Sequence, residues 1–135
     1  MPRSRPRLAP PSGTAAPLEA TAPDGTTVDV RALAQEVCRR YRAEYPDEEG
    51  RYGDAGQAWC VHDNQYVLHW AVLDAKGTTS LADQVAWLGR VLAARDFPLD
   101  RLARDVEICA EVVEESGDAW AADVARRLRA VASGV

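Results

Sequence analysis

Both histidines of the chain, His62 and His69, fall in one stretch, Asp54 to Lys76, together with Trp59, Cys60, Asp63, Tyr66 and Trp70. Histidine titrates near neutrality and is a common metal ligand, so the stretch is the first place to look for chemistry. At about 100° per residue on a helix, Trp59, Tyr66 and Trp70 share a narrow arc, with Leu73 beside them. Asp63 lies about 40° from Trp59 on one flank of that arc, and the two histidines lie roughly 60° to 80° away on the other. Val61, Leu68 and Val72 take the opposite side, so the helix reads as apolar on two faces and wrapped in partners.

That arrangement allows three kinds of chemistry. Asp63, His62 and Tyr66 can line a pocket that binds a small ligand or turns one over. A buried aspartate then needs a partner, from Arg31, Arg39, Arg90, a tyrosine hydroxyl or an indole N–H. Alternatively, His62 or His69 can serve as the single axial ligand of a tetrapyrrole, haem or cobalamin. The two cannot share one ion: seven residues at 1.5 Å rise separates them by about 10 Å. Thirdly, the aromatic residues can anchor a protein partner. Cys60 has no base and orienting acid at helical contact spacing, so it does not read as a nucleophile.

The elements that must position these residues are helical. Val30, Leu33, Ala34, Val37, Tyr41 and Tyr45 recur at helical spacing, which predicts a first helix over Asp29 to Tyr45, ended by Pro46. An acidic loop, Pro46 to Gly53, precedes the central helix, Asp54 to Lys76. A turn at Gly77 to Ser80 follows, with Ser80 and Asp83 placed as a capping box. Helices are expected over Leu81 to Arg95, over Leu99 to Glu115 with Pro98 at its start, and after Asp118 with Trp120, Val124, Leu128 and Val131 on one stripe. Glu107, Glu111 and Glu114 oppose the apolar stripe of their helix and read as a solvated face. No strand pattern of useful length is evident. The expected fold is all-α, a bundle of four or five helices or a globin-like crossing arrangement, as a single domain over residues 28–135. Residues 1–27 hold six of the eight prolines and read as a disordered tail.

Composition narrows the class. The net charge of -5 disfavours nucleic acid as a partner. Cys38, Cys60 and Cys109 form no CxxC pair, and read as reduced, mostly buried thiols of a cytoplasmic protein. No apolar run approaches the roughly 20 residues that span a bilayer, so no membrane role is expected. Trp87 and Trp120 sit at the edges of their stripes, where aromatics favour interfaces, and a homodimer is one outcome.

The run Arg51-Tyr52-Gly53-Asp54-Ala55-Gly56, then Cys60, Asp63 and Tyr66 at three-residue spacing, then Val85-Ala86-Trp87-Leu88, Val91-Leu92-Ala93-Ala94-Arg95 and Phe97-Pro98, resembles bacterial helical modules with YGxxG, CxxDxxY, VxW and VLxxRxxP in this order. The resemblance covers about residues 51 to 98 and implies a regulatory or sensory protein; some such modules accompany a cobalamin-binding or other sensory domain. Val67 stands where those modules have histidine. The expectation is a non-enzymatic regulatory or sensory domain that binds a protein partner or small ligand through helix 54–76, with Asp63, Tyr66, His62, His69, Trp59 and Trp70 as its site and no cofactor. The alternatives are a haem- or cobalamin-binding globin-like protein and a small-molecule enzyme.

Overall fold

The computed structural model describes residues 8–135; Arg3, Arg5 and Arg7 lie outside the described residues. It is mostly helical, with five helices and two short strands packed on one hydrophobic core. Strands β1 (Glu19–Thr21) and β2 (Thr27–Asp29) pair antiparallel, Ala20 opposite Val28. This corrects the expectation of a structureless tail without strands. The cause is local. Pro23-Asp24-Gly25 makes a tight turn: Gly25 N–H donates to the Ala22 carbonyl at 2.9 Å, and Asp24 Oδ1 accepts from Thr26 N–H at 2.9 Å. Gly25 supplies the φ of +90° that a glycine bulge after such a turn requires. The alternation then buries Ala20 and Val28.

Helix α1 (Val30–Glu44) starts where β2 stops, because the Asp29 carboxylate accepts from Ala32 N–H. It buries Val30, Ala34, Val37, Cys38 and Tyr41. Helix α2 (Asp47–Ala75) is longer than expected, because the acidic loop is itself helical. Gly53 breaks it at φ 62°, ψ -155°, a conformation open essentially to glycine alone. Its first leg swings Glu48 and Tyr52 back toward the main leg. Gly56 is needed for that approach: a Cβ there would stand 2.2 Å from Tyr52 Cβ.

Helices α3 (Leu81–Ala93), α4 (Leu99–Glu115) and α5 (Ala121–Ala132) follow the expected stripes. Ser80 caps α3 by accepting from Asp83 N–H at 3.2 Å. After α3, Asp96 takes a left-handed φ of 61° and Phe97 N–H returns to the Leu92 carbonyl at 3.0 Å, which turns Phe97 back on the helix it follows. Trp120 is buried in the core, not held at an edge; Trp87 is 51% exposed. Arg104 ties α4 to α1 through both Glu44 oxygens at 2.8 Å, and also holds Glu107 and Glu111. Such exposed pairs contribute at most about 1 kcal/mol each. No helix among the described residues is long and apolar enough to cross a membrane.

Candidate ligand-binding cavity

The main leg of α2 presents two different sides. Asn64, Gln65, Val67, Leu68, Ala71 and Val72 are buried. Trp59, His62, Tyr66 and Trp70 form a half-buried row instead of a second wrapped face, with rings meeting at 5.1, 5.2 and 5.7 Å in that order. Helical spacing of three and four makes the row, and its second side is open because no helix covers it fully. The segment before β1 runs along part of α2: Trp59 Nε1 donates to the Ala9 carbonyl, Gln65 Nε2 to the Pro17 carbonyl. His69 faces the backbone of Glu19, and burial pushes its imidazole below the usual histidine range.

Between the row and the core lies a cavity of about 200 Å³. Residues of α1, both legs of α2, α3, α4 and the N-terminal segment line it; Tyr52, Trp59, Leu88, Leu92 and Phe97 give it a mainly apolar wall. Its polar part is Asp63, Asn64 and Asp105, with Glu48 and Tyr41 beside them. Of the expected site residues, Trp59 and Asp63 line this cavity, whereas His62, Tyr66, His69 and Trp70 do not. Asp63, His62 and Tyr66 touch in that order, the His62 and Tyr66 rings at 5.2 Å, but only Asp63 of the three faces this cavity. His62 Nδ1 lies 3.3 Å from Asp63 Oδ1, and Arg95 is the nearby cation; Arg31, Arg39 and Arg90 do not partner Asp63. Burial raises the Asp63 carboxyl above its ordinary value, against the opposing pull of His62 and Arg95.

Asn64 and Asp105 are the functional candidates that the sequence pattern did not single out. Asn64 Nδ2 donates to Asp105 Oδ1 at 3.0 Å and to the Cys60 carbonyl at 3.0 Å, and Cys109 Sγ donates to Asn64 Oδ1 at 3.2 Å. The Cys38 and Cys60 sulfurs both stand 3.5 Å from Nδ2. Three thiols from three helices thus surround one amide, all of them free. The hydrogen bond to Cys38, with burial, pushes the Cys60 thiol up, and burial does the same to Cys109, so both remain protonated. Among the described residues no group of acids, cysteines and histidines is placed to hold a metal ion.

Burial pushes Asp105 up to about 7; the Asn64 N–H holds it down in part, and the Asp63 and Glu48 charges push it further up. Its Oδ2 has no hydrogen-bond partner among the described residues. Glu48 is better provided for. It accepts from the Tyr41 hydroxyl at 2.6 Å and from Arg101 at 2.8 Å, while the same arginine reaches Asp47 at 2.9 Å and stacks on the Tyr45 ring. Burial and the Glu48 carboxylate raise the Tyr41 phenol, which fixes it as a donor.

The signal for Asp105 was in the spacing. It follows Leu102 by three residues and precedes Cys109 by four, which places it on the apolar stripe of α4. Fold and site together define a helical domain with a partly open, mostly apolar cavity lined by carboxylates and an amide. No family model, curated protein or solved structure matches the chain.

Proposed function

We propose that this protein is a non-enzymatic helical domain that binds a small ligand in the cavity beside α2, in a regulatory or sensory role. The observation that carries this reading is the cavity itself: an apolar cleft with a few convergent polar groups is the usual form of a small-molecule site. Of Asp63, His62 and Tyr66, only Asp63 lines the cavity, which favours a binding role there over a site built on all three. A tetrapyrrole held by His62 or His69 in a globin-like pocket has less support, since neither histidine lines the cavity. The regulatory role draws on the resemblance of residues 51–98 to bacterial helical modules; Tyr52, Asp63, Leu88, Leu92, Arg95 and Phe97 of that pattern line the cavity.

The test is a thermal-shift screen of small metabolites on the wild type and on Leu92→Trp, which fills the cavity. Ligands that stabilise the wild type and lose that effect in Leu92→Trp support the reading. Equal stabilisation of both proteins, or no hit at millimolar concentration, overturns it. Trp87 supports a second reading, a protein partner or homodimer, because a large aromatic side chain is left half exposed. Sedimentation of wild type and Trp87→Lys tests it; monomers at all concentrations remove the homodimer.

A further inference from the structure

The charges that face the cavity do not balance. Glu48 is satisfied by Tyr41 and Arg101, and Arg42 is paired with Glu49. That leaves Asp63 and Asp105 against Arg95. Asp105 is only 9% exposed, and one of its oxygens lacks any partner among the described residues. Among the described residues the one hydrogen-bonding contact of Asp63 is with His62 at 3.3 Å, and Arg95 acts on it only at longer range. The Asp63 charge also raises the cost of ionising Asp105, beside the larger effect of burial. The wall beside them is aromatic, and Trp59 already accepts a cation on its face: the Arg95 guanidinium carbon is 5.6 Å from the ring centroid.

From this geometry we infer that the cavity is a site for a compact organic cation, with an ammonium head against Asp63 and Asp105 and an apolar body along Trp59, Tyr52 and Leu92. The inference rests on the small-ligand reading above and gives it a chemical class. One positive charge would relieve both carboxylates at once, with the Asn64 amide and Trp59 face already in place. A neutral hydroxyl can donate to the free Asp105 oxygen but brings no charge to offset either carboxylate. An anion would oppose the ionisation of both Asp63 and Asp105, with Arg95 alone to receive it. The cavity, at about 200 Å³, is smaller than the roughly 300–1,000 Å³ of drug-sized sites, so the ligand is small.

Titration calorimetry with three probes of one shape separates the classes: phenethylammonium, phenethyl alcohol and phenylacetate, near neutral pH. The expected order places the ammonium at least about tenfold tighter than the alcohol, with phenylacetate weakest, tenfold being about 1.4 kcal/mol. Asp63→Asn and Asp105→Asn should each lower ammonium affinity about tenfold and leave the alcohol unchanged. Circular dichroism melts of both variants establish that they fold, and either variant alone suffices to test the carboxylate. Alcohol binding as tight as ammonium binding would overturn the cation class while leaving the small-ligand reading intact. Phenylacetate binding tightest would overturn it in favour of Arg95. If no probe binds but neutral metabolites in the screen do, only the class fails. If neither the probes nor the screen bind, the ligand reading itself fails.

Discussion

Asp63 and His62 are adjacent in sequence and 3.3 Å apart, yet they belong to different regions of the molecule. Asp63 joins Asn64 and Asp105 on the inner side of α2, around the cavity. His62 joins Trp59, Tyr66 and Trp70 in the outer aromatic row. The inner side holds fewer residue types of chemical repute, but its Asn64 and Asp105 are buried and depend on one another, while Asp63 is 27% exposed in its side chain. The outer row holds His62 with three aromatics, Trp59, Tyr66 and Trp70, all of them half-buried. Enclosure, more than residue type, decides where a polar group can have a large effect, because lost hydrogen bonds cannot be replaced by water there.

The largest expected effect is a pH dependence from Asp105. Burial pushes its carboxyl up to about 7 in the fold, from an ordinary value of 3.8. The folded state therefore holds a proton over that window that the unfolded chain has released. The stability that this proton gives is fully present below 3.8 and is lost as pH rises through about 7. Relative to Asp105→Asn, the wild type should lose up to about 4 kcal/mol of unfolding free energy between acid and mildly alkaline pH, an order-of-magnitude figure at 1.36 kcal/mol per unit. Urea melts of both proteins across that range measure it. A difference that stays flat with pH would show that Asp105 is not enclosed as described.

Next in size is the Asn64 amide. Asn64→Ala removes the donor to Asp105 and the acceptor for Cys109 and leaves a void. The expected cost is about 3 kcal/mol, from unsatisfied buried groups and the cavity together. A loss below about 1 kcal/mol in chemical denaturation would mean that water replaces the amide, and the inner side would then resemble the outer one.

The kink comes third. Gly53 holds a φ, ψ pair nearly closed to other residues, and through it Glu48 and Tyr52 reach the cavity. Gly53→Ala should cost about 1–3 kcal/mol and weaken whatever the cavity binds. Calorimetric melting together with ligand titration reads both effects; unchanged melting and binding would remove the kink from the account of the site.

Much of the helical frame was legible in the sequence, and the reasons are specific. The stripe Leu102, Val106, Cys109 and Val113 lies on α4 as its spacing implies, and Ser80 caps α3 at Asp83. The hairpin is hard to see in the sequence because six prolines within residues 1–27 carry a linker signal, while Pro23-Asp24-Gly25 is also turn chemistry. The first leg of α2 was missed because Gly50 and Gly53 suggested a loop; tertiary partners for Glu48, on Tyr41 and Arg101, override the local preference. The site was half legible. Asp63 and Trp59 line the cavity, but Asn64 and Asp105 depend on how α2 and α4 face each other, and that crossing is written in no single helix.

The smallest effect belongs to the outer row. His62→Leu keeps most of the bulk but gives up the ring-edge contacts with Trp59 and Tyr66 and the contact with Asp63. Aromatic edge contacts contribute roughly 0.5–1.5 kcal/mol each, less where water reaches the ring. His62 is 22% exposed in its side chain, so a net loss of about 1 kcal/mol or less is expected in urea. Its removal also takes away one of the two groups that hold the Asp63 carboxyl down, so that carboxyl should titrate higher still. Carbon-detected NMR titration of Asp63 in both proteins checks the second effect without relying on stability. If His62→Leu costs as much as Asn64→Ala, the outer row is as enclosed as the inner side, and the division of α2 into two regions fails.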